Sequence, residues 1–275
     1  MNADTEELAR EYDLISSVCI QSRIRDEALK LIDFGENDDV LDVGCGSGRL
    51  CKMLSPLVNS VTGLDISHGL VEFARIENSG HNIRYFEEDA QTFGPLLTDW
   101  REKFNKILSM TALHWCFDKK SVLKNIYQCL KPGGIVLLDF PAHSQIVSEW
   151  SPYGETCDVW IRKHPKWGQY LQKCNYEIFP TKSTEGFLDL VRSVGFIIGH
   201  SEVKQPPWVE WKESDIKKQL RCVFYPIKNI PVEHQDEFID DVYKWMCDVT
   251  PKRSGNVYQG ELGRAKTMTI VATKE

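Results

Sequence analysis

The run Asp42-Val43-Gly44-Cys45-Gly46-Ser47-Gly48 constrains this chain more than any other segment. It follows the apolar stretch Val40 to Val43, so it sits where a first strand turns into a first helix. Glycines at such a turn let the backbone reverse tightly and approach a ligand with no Cβ in the way. A dinucleotide fold would place its third glycine at position 49, which is Arg, and the phosphate-cradling pattern that ends in Gly-Lys-Ser/Thr is absent. Pyrophosphate is therefore the poorer ligand for this loop. Taken alone, the glycines also fit a plain strand-to-helix turn.

Between residues 38 and 140 short apolar runs alternate with helical periodicity, the pattern of βαβ units and a parallel sheet. After the first run come Val61 to Ile66, Ile83 to Phe86, Lys106 to Met110 and Ile135 to Phe140. Ser67 reads as the N-cap of a helix carrying Leu70, Phe73, Ala74 and Glu77. Ser121 reads as the cap of a helix with Val122, Ile126 and Leu130 on one face, stopped by Lys131-Pro132-Gly133-Gly134. Gly195 to Val203 and Thr267 to Thr273 read as two further strands, and an amphipathic helix follows Pro231.

One domain over 1–275 is the expectation. It divides into a helical segment at 1–37, a cofactor-binding core at 38–140, an aromatic insertion at 141–194, and the last strands at 195–275 with a helical insertion at 206–262.

Carboxylates recur where these strands end. Asp65 closes the second run, 17 residues after Gly48, where it can accept both hydroxyls of a ribose. Glu88-Asp89-Ala90 closes the third, where an acid can accept from an exocyclic adenine amine, and Asp42 lies near the end of the first, where a cationic amine could be met. Singly, each acid reads equally well as a solvated strand end. Together with the glycine loop they describe a ligand with an amine, a ribose and an adenine but no phosphate, which is S-adenosylmethionine.

VLDVGCGSG, VTGLDIS, FEEDA and LKPGG in this order resemble the motif series of class I S-adenosylmethionine-dependent methyltransferases over residues 38–140. The resemblance implies an α/β, Rossmann-like, seven-stranded and mostly parallel sheet with an antiparallel last strand, here with helical cap insertions. It also implies roles. Gly44, Cys45, Gly46 and Gly48 would hug the methionine part of the cofactor, with Asp42 close by. Asp65 would take the ribose, Ile66 the adenine face, Asp89 the adenine amine with Ala90 beside the ring, and Ser109 the floor.

Leu113-His114-Trp115, the helix KNIYQCLKPGG and the distal LRCVFYPIKNIPVEHQDEFIDDV resemble the juvenile hormone acid methyltransferases of arthropods, which share elements with the trans-aconitate methyltransferase group. That likeness implies methylation of the carboxylate of a small hydrophobic acid, farnesoid or fatty. Trp115 and His114 would stand at the acceptor, joined by Gln21 or Arg23 of the N-terminal segment. A carboxylate is already ionised near neutral pH and needs no base, so these groups would orient the acceptor rather than deprotonate it. Trp150, Tyr153, Trp160, Trp167 and Tyr170 read as the wall of a greasy pocket, as a cage for a cationic amine, or as packing of the insertion. An N- or O-methyltransferase of another metabolite, and a cofactor-binding protein without turnover, stay open beside the carboxyl reading.

Composition narrows the partners. A formal net charge of −7 gives no electrostatic footprint for nucleic acid or an anionic membrane. The nine cysteines are scattered without a CxxC pair, which disfavours a structural metal and a disulfide framework. The start, MNADTEELAREYDL, is acidic and lacks an apolar core, and no run approaches the roughly 20 apolar residues that span a bilayer. The expectation is a cytoplasmic protein with no metal, no nucleic-acid partner and no membrane, as a monomer or a homodimer.

Overall fold

The computed structural model describes residues 5–18, 20–93, 98–142, 157–172, 183–204, 212–249 and 266–275; the side chains at 16–18, 20–24, 158, 223, 225 and 249 lie outside the described set. Helices α1 (Glu6–Val18) and α2 (Ile20–Leu29) come first. Then follow β1 (Asp39–Val43), α3 (Arg49–Leu54), β2 (Ser60–Asp65), α4 (His68–Glu77), β3 (Ile83–Glu87), β4 (Phe104–Met110), α5 (Lys119–Cys129) and β5 (Leu130–Pro141). The second half holds α6 (Cys157–Lys163), α7 (Gly168–Leu171), α8 (Thr184–Val194), β6 (Ile197–Lys204), α9 (Glu213–Val223), α10 (Gln235–Val249) and β7 (Thr267–Thr273).

The seven strands form one sheet in the order β3-β2-β1-β4-β5-β7-β6. β1, β2, β3, β4 and β5 pair in parallel, and β7 runs antiparallel to both β5 and β6. This is the mostly parallel sheet with an antiparallel last strand that the motif series implies. Its inner strands are apolar runs because helices cover both faces, so β1 and β2 are buried along all but their first residue. One core gathers Leu41, Ile107, Leu138 and Phe140 with Val122 of α5 and Phe187 of α8. The opposite face packs Val40, Leu108, Met110 and Leu137 against Ala28 of α2 and Cys51 of α3.

Ser67 caps α4 as expected, accepting from Leu70 N at 3.5 Å. The cap of α5 is Asp118, not Ser121, because the Asp118 carboxylate accepts both the Ser121 N–H (2.9 Å) and its hydroxyl (2.6 Å), and the helix starts earlier. The helix ends at Cys129, so Leu130, expected on its face, and Lys131 to Gly134, expected as its break, are the first residues of β5. Gly195 ends α8 in the left-handed conformation, so β6 begins at Ile197.

The insertions build a second core. Ile161 of α6, Trp167, Leu171 of α7, Ile216 and Leu220 of α9, and Phe238, Ile239 and Val242 of α10 close on one another and on Ile15 of α1. Trp167 is fully buried, donates Nε1–H to Asp241 at 2.9 Å and meets Phe238 edge-on at 5.3 Å; Trp160 stacks on Trp245 at 5.5 Å. These aromatics therefore pack the cap, the third of the readings open to them; Trp150 and Tyr153 lie outside the described residues. Helix α1 belongs to both halves, since its Ile15 enters the cap while its Ala9 sits with Leu70 and Phe73 of α4.

Candidate active site

Strands of a parallel sheet end along one edge, and open α/β sheets bind ligands outside that edge. Here the edge carries a cleft of about 730 Å³. Val43 and Gly44 line it from β1, Asp65 and Ile66 from β2, Asp89 and Ala90 from the end of β3, and Ser109 to Leu113 from β4, with Trp115 and Cys116 on the far wall and Tyr12 of α1 above.

The glycine loop is shaped by contacts that a side chain would destroy. Gly44 has φ +81°, and a Cβ there would lie 2.2 Å from the Ala112 Cβ. Its N–H and that of Cys45 both bond Leu64 O, at 2.7 and 3.0 Å, which locks the turn to β2. Gly48 serves packing instead, because a Cβ would meet the Tyr85 hydroxyl at 2.5 Å and the Ala74 Cβ at 2.8 Å. Gly46 lies beneath the Tyr12 ring, 3.2 Å from where its own Cβ would be. Neither Gly46 nor Gly48 is among the cleft's lining residues.

Asp65 is buried and held from behind: Gly46 N–H donates to Oδ2 at 2.8 Å and Ser67 N–H to Oδ1 at 2.9 Å. Each carboxylate oxygen keeps a second lone pair, so a pair of hydroxyls in the cleft can be accepted. Burial raises the pKa of Asp65 above the ordinary aspartate value, opposed by those two backbone bonds. Ile66 is 66% exposed, an apolar face left open beside that carboxylate. Asp89 is engaged by Gln91, whose N–H donates at 2.8 Å and whose Nε2 donates at 3.2 and 3.1 Å, while Gln91 Oε1 accepts Asp118 N–H at 2.8 Å. Ser109 is fully buried and gives its hydroxyl to Val43 O at 2.9 Å, tying the floor of β4 to β1.

Trp115 lines the cleft; His114 lines neither cavity of this edge. The His114 imidazole is buried, which drives its pKa down to about 3, with Lys119 adding in the same direction, so it is neutral near pH 7. Gln21 and Arg23 fall on α2, and their side chains lie outside the described set. Asp42 and Cys45 line a second cavity of about 540 Å³ that opens from the first at Gly44, Met110 and Thr111, with Tyr12 bounding both.

Four residues of this edge escaped the sequence reading. Tyr12 and Asp13 come from α1. The Asp13 carboxylate accepts Ser47 Oγ–H at 2.7 Å and Arg49 Nε–H at 3.2 Å, and pairs also with Arg49 Nη2. The arginine that replaces a third glycine thus clasps α1 onto the loop. Thr111, at φ +52°, is a β-branched residue in the left-handed region, a strain of about 1–3 kcal/mol that marks functional edges. Asp139 lies two residues before the end of β5 and is fully buried. Only Asp139 carried a signal, an acid at the end of an apolar run, by the rule that had picked out Asp65.

Residues 41–138 match a family described as a methyltransferase domain. The chain is an S-adenosylmethionine-dependent methyltransferase. Over a longer stretch that takes in this core, it is 27% identical to juvenile hormone acid O-methyltransferase of Drosophila melanogaster over 233 residues, covering 82% of this chain and 74% of that one. With the Bombyx mori protein of the same name it shares 24% over 211 residues, 74% of this chain and 72% of the other. Among solved structures, phosphoethanolamine N-methyltransferase 2 of Haemonchus contortus, in complex with S-adenosyl-L-methionine, superposes with a TM-score of 0.56 at 15% identity, over 98% of this chain and 57% of that one. That likeness is one of fold.

The residues present fit the cofactor S-adenosylmethionine. Gly44 leaves a space that a Cβ would fill, Asp65 offers two free acceptor directions, and Ile66 stands exposed beside them. Among the described residues no group of three His, Cys, Asp or Glu is placed to hold a metal, and no helix is long and apolar enough to cross a membrane.

Proposed function

We propose that this methyltransferase acts on the carboxylate of a small hydrophobic acid, farnesoid or fatty. What carries the reading is that the likeness to the two juvenile hormone acid O-methyltransferases extends over 82% and 74% of the chain, well past the core at 41–138 and into the cap. The cofactor supplies a methyl group on a positively charged sulfur, open to attack by a nucleophile. The chemistry of the cleft agrees with an acceptor that is its own nucleophile. Among the described residues lining it there is no histidine or lysine, and burial pushes the Cys116 thiol up to about 11. An amine or alcohol would have to shed a proton there, whereas a carboxylate has none to shed.

On this reading Asp65 holds the ribose, Ile66 covers one adenine face, Asp89 and Ala90 meet its edge, and Ser109 keeps the floor dry. Asp42 with Gly44, Cys45, Gly46 and Gly48 shapes the methionine end, where Arg25, another lining residue of the second cavity, brings a positive charge. Trp115 packs beside the acceptor with Leu113 and Met110, and the neutral His114 behind it, ring centroids 4.9 Å apart, fixes the indole. Tyr12 and the cap exclude water, which strengthens the attraction between carboxylate and sulfonium. Alignment of oxygen, methyl and sulfur is then the main task left to the protein. Gln21 remains the N-terminal candidate for an acceptor contact.

The test is transfer of labelled methyl from S-adenosylmethionine to farnesoid acids, fatty acids, amines and phenols. Label on an acid that is released as methanol by base supports the reading. Label found only in base-stable products moves the acceptor to nitrogen or a hydroxyl and refutes it.

A further inference from the structure

Gln91, in the turn after β3, lines the same cleft as Asp89, Trp115 and Cys116. Its Nε2 donates to both Asp89 carboxylate oxygens, at 3.2 Å to Oδ1 and 3.1 Å to Oδ2, and its backbone N–H donates to Oδ1 at 2.8 Å. Its Oε1 accepts the Asp118 N–H at 2.8 Å. A backbone N–H can only donate, so this last bond decides which end of the amide is oxygen. The NH2 end is therefore turned to the carboxylate. Asn125 of α5 fixes the backbone of the same turn, donating to Ala90 O at 3.0 Å and to Gln91 O at 3.2 Å. Glu88, the other acid lining this end of the cleft, has no side-chain hydrogen bond among the described residues.

We propose that Gln91 is a positioning residue, which holds Asp89 so that the cleft selects a base carrying an exocyclic amine. An ionised carboxylate only accepts, and each of its oxygens has two lone pairs. The two Gln91 donors fill those of Oδ1, and Oδ2 keeps one for a donor in the cleft. Asp65 is held by two backbone N–H groups in the same manner, whereas at Asp89 a side chain does half of the holding. Asp89 is only half-buried, so without that amide its carboxylate would turn freely towards water. Fixing it before the ligand arrives removes the cost of ordering it on binding. That gain goes only to a ligand that uses the carboxylate. The role of Gln91 rests on the adenine placement proposed above and not on the identity of the acceptor.

The experiment compares two ligands by calorimetry, S-adenosylhomocysteine and its deamino analogue, which has hydrogen in place of the exocyclic amine. Wild type should prefer the first by roughly 10- to 150-fold, the worth of a charged hydrogen bond. Gln91→Leu keeps the bulk of the side chain and the Asn125 bonds to the turn, so the fold should hold. Its preference should fall by roughly 2- to 13-fold, the cost of ordering one free side chain. Gln91→Lys returns a donor to Asp89 without an acceptor for Asp118, and should recover most of the preference. A purely structural role would weaken both ligands alike and leave their ratio unchanged.

A wild-type ratio in Gln91→Leu overturns the proposal. So does a ratio in Gln91→Lys no better than that of Gln91→Leu, because the bond to Asp118 would then be what matters. Asp89→Ala tells whether the adenine placement fails as well. If Asp89→Ala loses the preference while Gln91→Leu keeps it, the placement stands and the role of Gln91 falls. If Asp89→Ala keeps it, the placement is wrong and the proposal falls with it. Should Gln91→Leu fail to fold, the side-chain amide resonances of Gln91 in the wild type serve. They must shift more with S-adenosylhomocysteine than with the deamino analogue, and equal shifts refute the proposal.

Discussion

Replacing Asp13 by Asn tests whether α1 is a structural part of the cofactor site. Its carboxylate receives Ser47 and both Nε and Nη2 of Arg49, with side-chain exposures of 12% for Asp13 and 36% for Arg49. Charged hydrogen bonds are worth about 1.5–3 kcal/mol each, and exposure of the arginine discounts its share. The amide keeps an acceptor for Ser47 and loses the charge, so the expected loss is about 2 kcal/mol, or a factor of about 30 in the equilibrium constant for docking the helix. Tyr12, next on α1, bounds both cavities. If only the docked form binds, the apparent Kd rises as the inverse of the docked fraction that remains.

The assay is calorimetric titration of S-adenosylhomocysteine together with hydrogen exchange of the α1 amides, repeated for Arg49→Gln and for the double variant. Weaker binding, faster exchange at α1 and a coupling of 1 kcal/mol or more between the two sites are expected. Added salt should shrink the coupling, since the pair is partly exposed. A coupling near zero with α1 protection unchanged would show that the clasp is an ordinary surface pair and that Tyr12 is held by the cap alone.

Gly44→Ala should fold by circular dichroism yet lose at least tenfold in cofactor affinity, because its φ of +81° costs about 1–2 kcal/mol with a Cβ and the 2.2 Å approach displaces Ala112. Asp65→Ala should weaken S-adenosylhomocysteine roughly 10- to 150-fold in calorimetry, the worth of a charged hydrogen bond; unchanged affinity would remove Asp65 from the site. Trp115→Ala should leave the cofactor Kd within about twofold while turnover falls, and a parallel loss of melting temperature would mark the ring as core packing. Stability should carry the mark of Asp42 and Asp139. Their folded pKa values near 7 lie above the ordinary 3.8, so between those values the folded chain binds more protons than the unfolded one and its stability falls as pH rises. In urea titrations Asp139→Asn should lessen that decline by at most about 1.4 kcal/mol per pH unit.

The strands could be read because a buried parallel strand is an apolar run with turn residues on both sides, and each of the first five runs becomes a strand shifted by a few residues. Caps were less secure. Both Asp118 and Ser121 are good N-caps, and the carboxylate wins because one side chain takes two donors of Ser121. The aromatic insertion showed composition without direction: nothing local distinguishes Trp167, whose partners Asp241 and Phe238 lie on α10, from a ring that faces substrate.

The same locality decides which site residues could be found. Asp65 is oriented by Ser67, two residues on, and by Gly46, 19 residues back in the adjoining loop, so motif and geometry come from one stretch of chain. Asp13 is oriented by Ser47 and Arg49, 34 and 36 residues away, across a helix whose own periodicity is spent on Ala9 and Ile15. Asp139 is oriented by Thr269, 130 residues away on β7, which closes the sheet only after the cap has been built. Parallel strands bring every terminal acid to one edge, so position alone nominates Asp42, Asp65, Asp89 and Asp139 alike. What tells them apart is what stands behind each carboxyl, two backbone N–H groups at Asp65 and the Thr269 hydroxyl at Asp139, and that belongs to tertiary contacts.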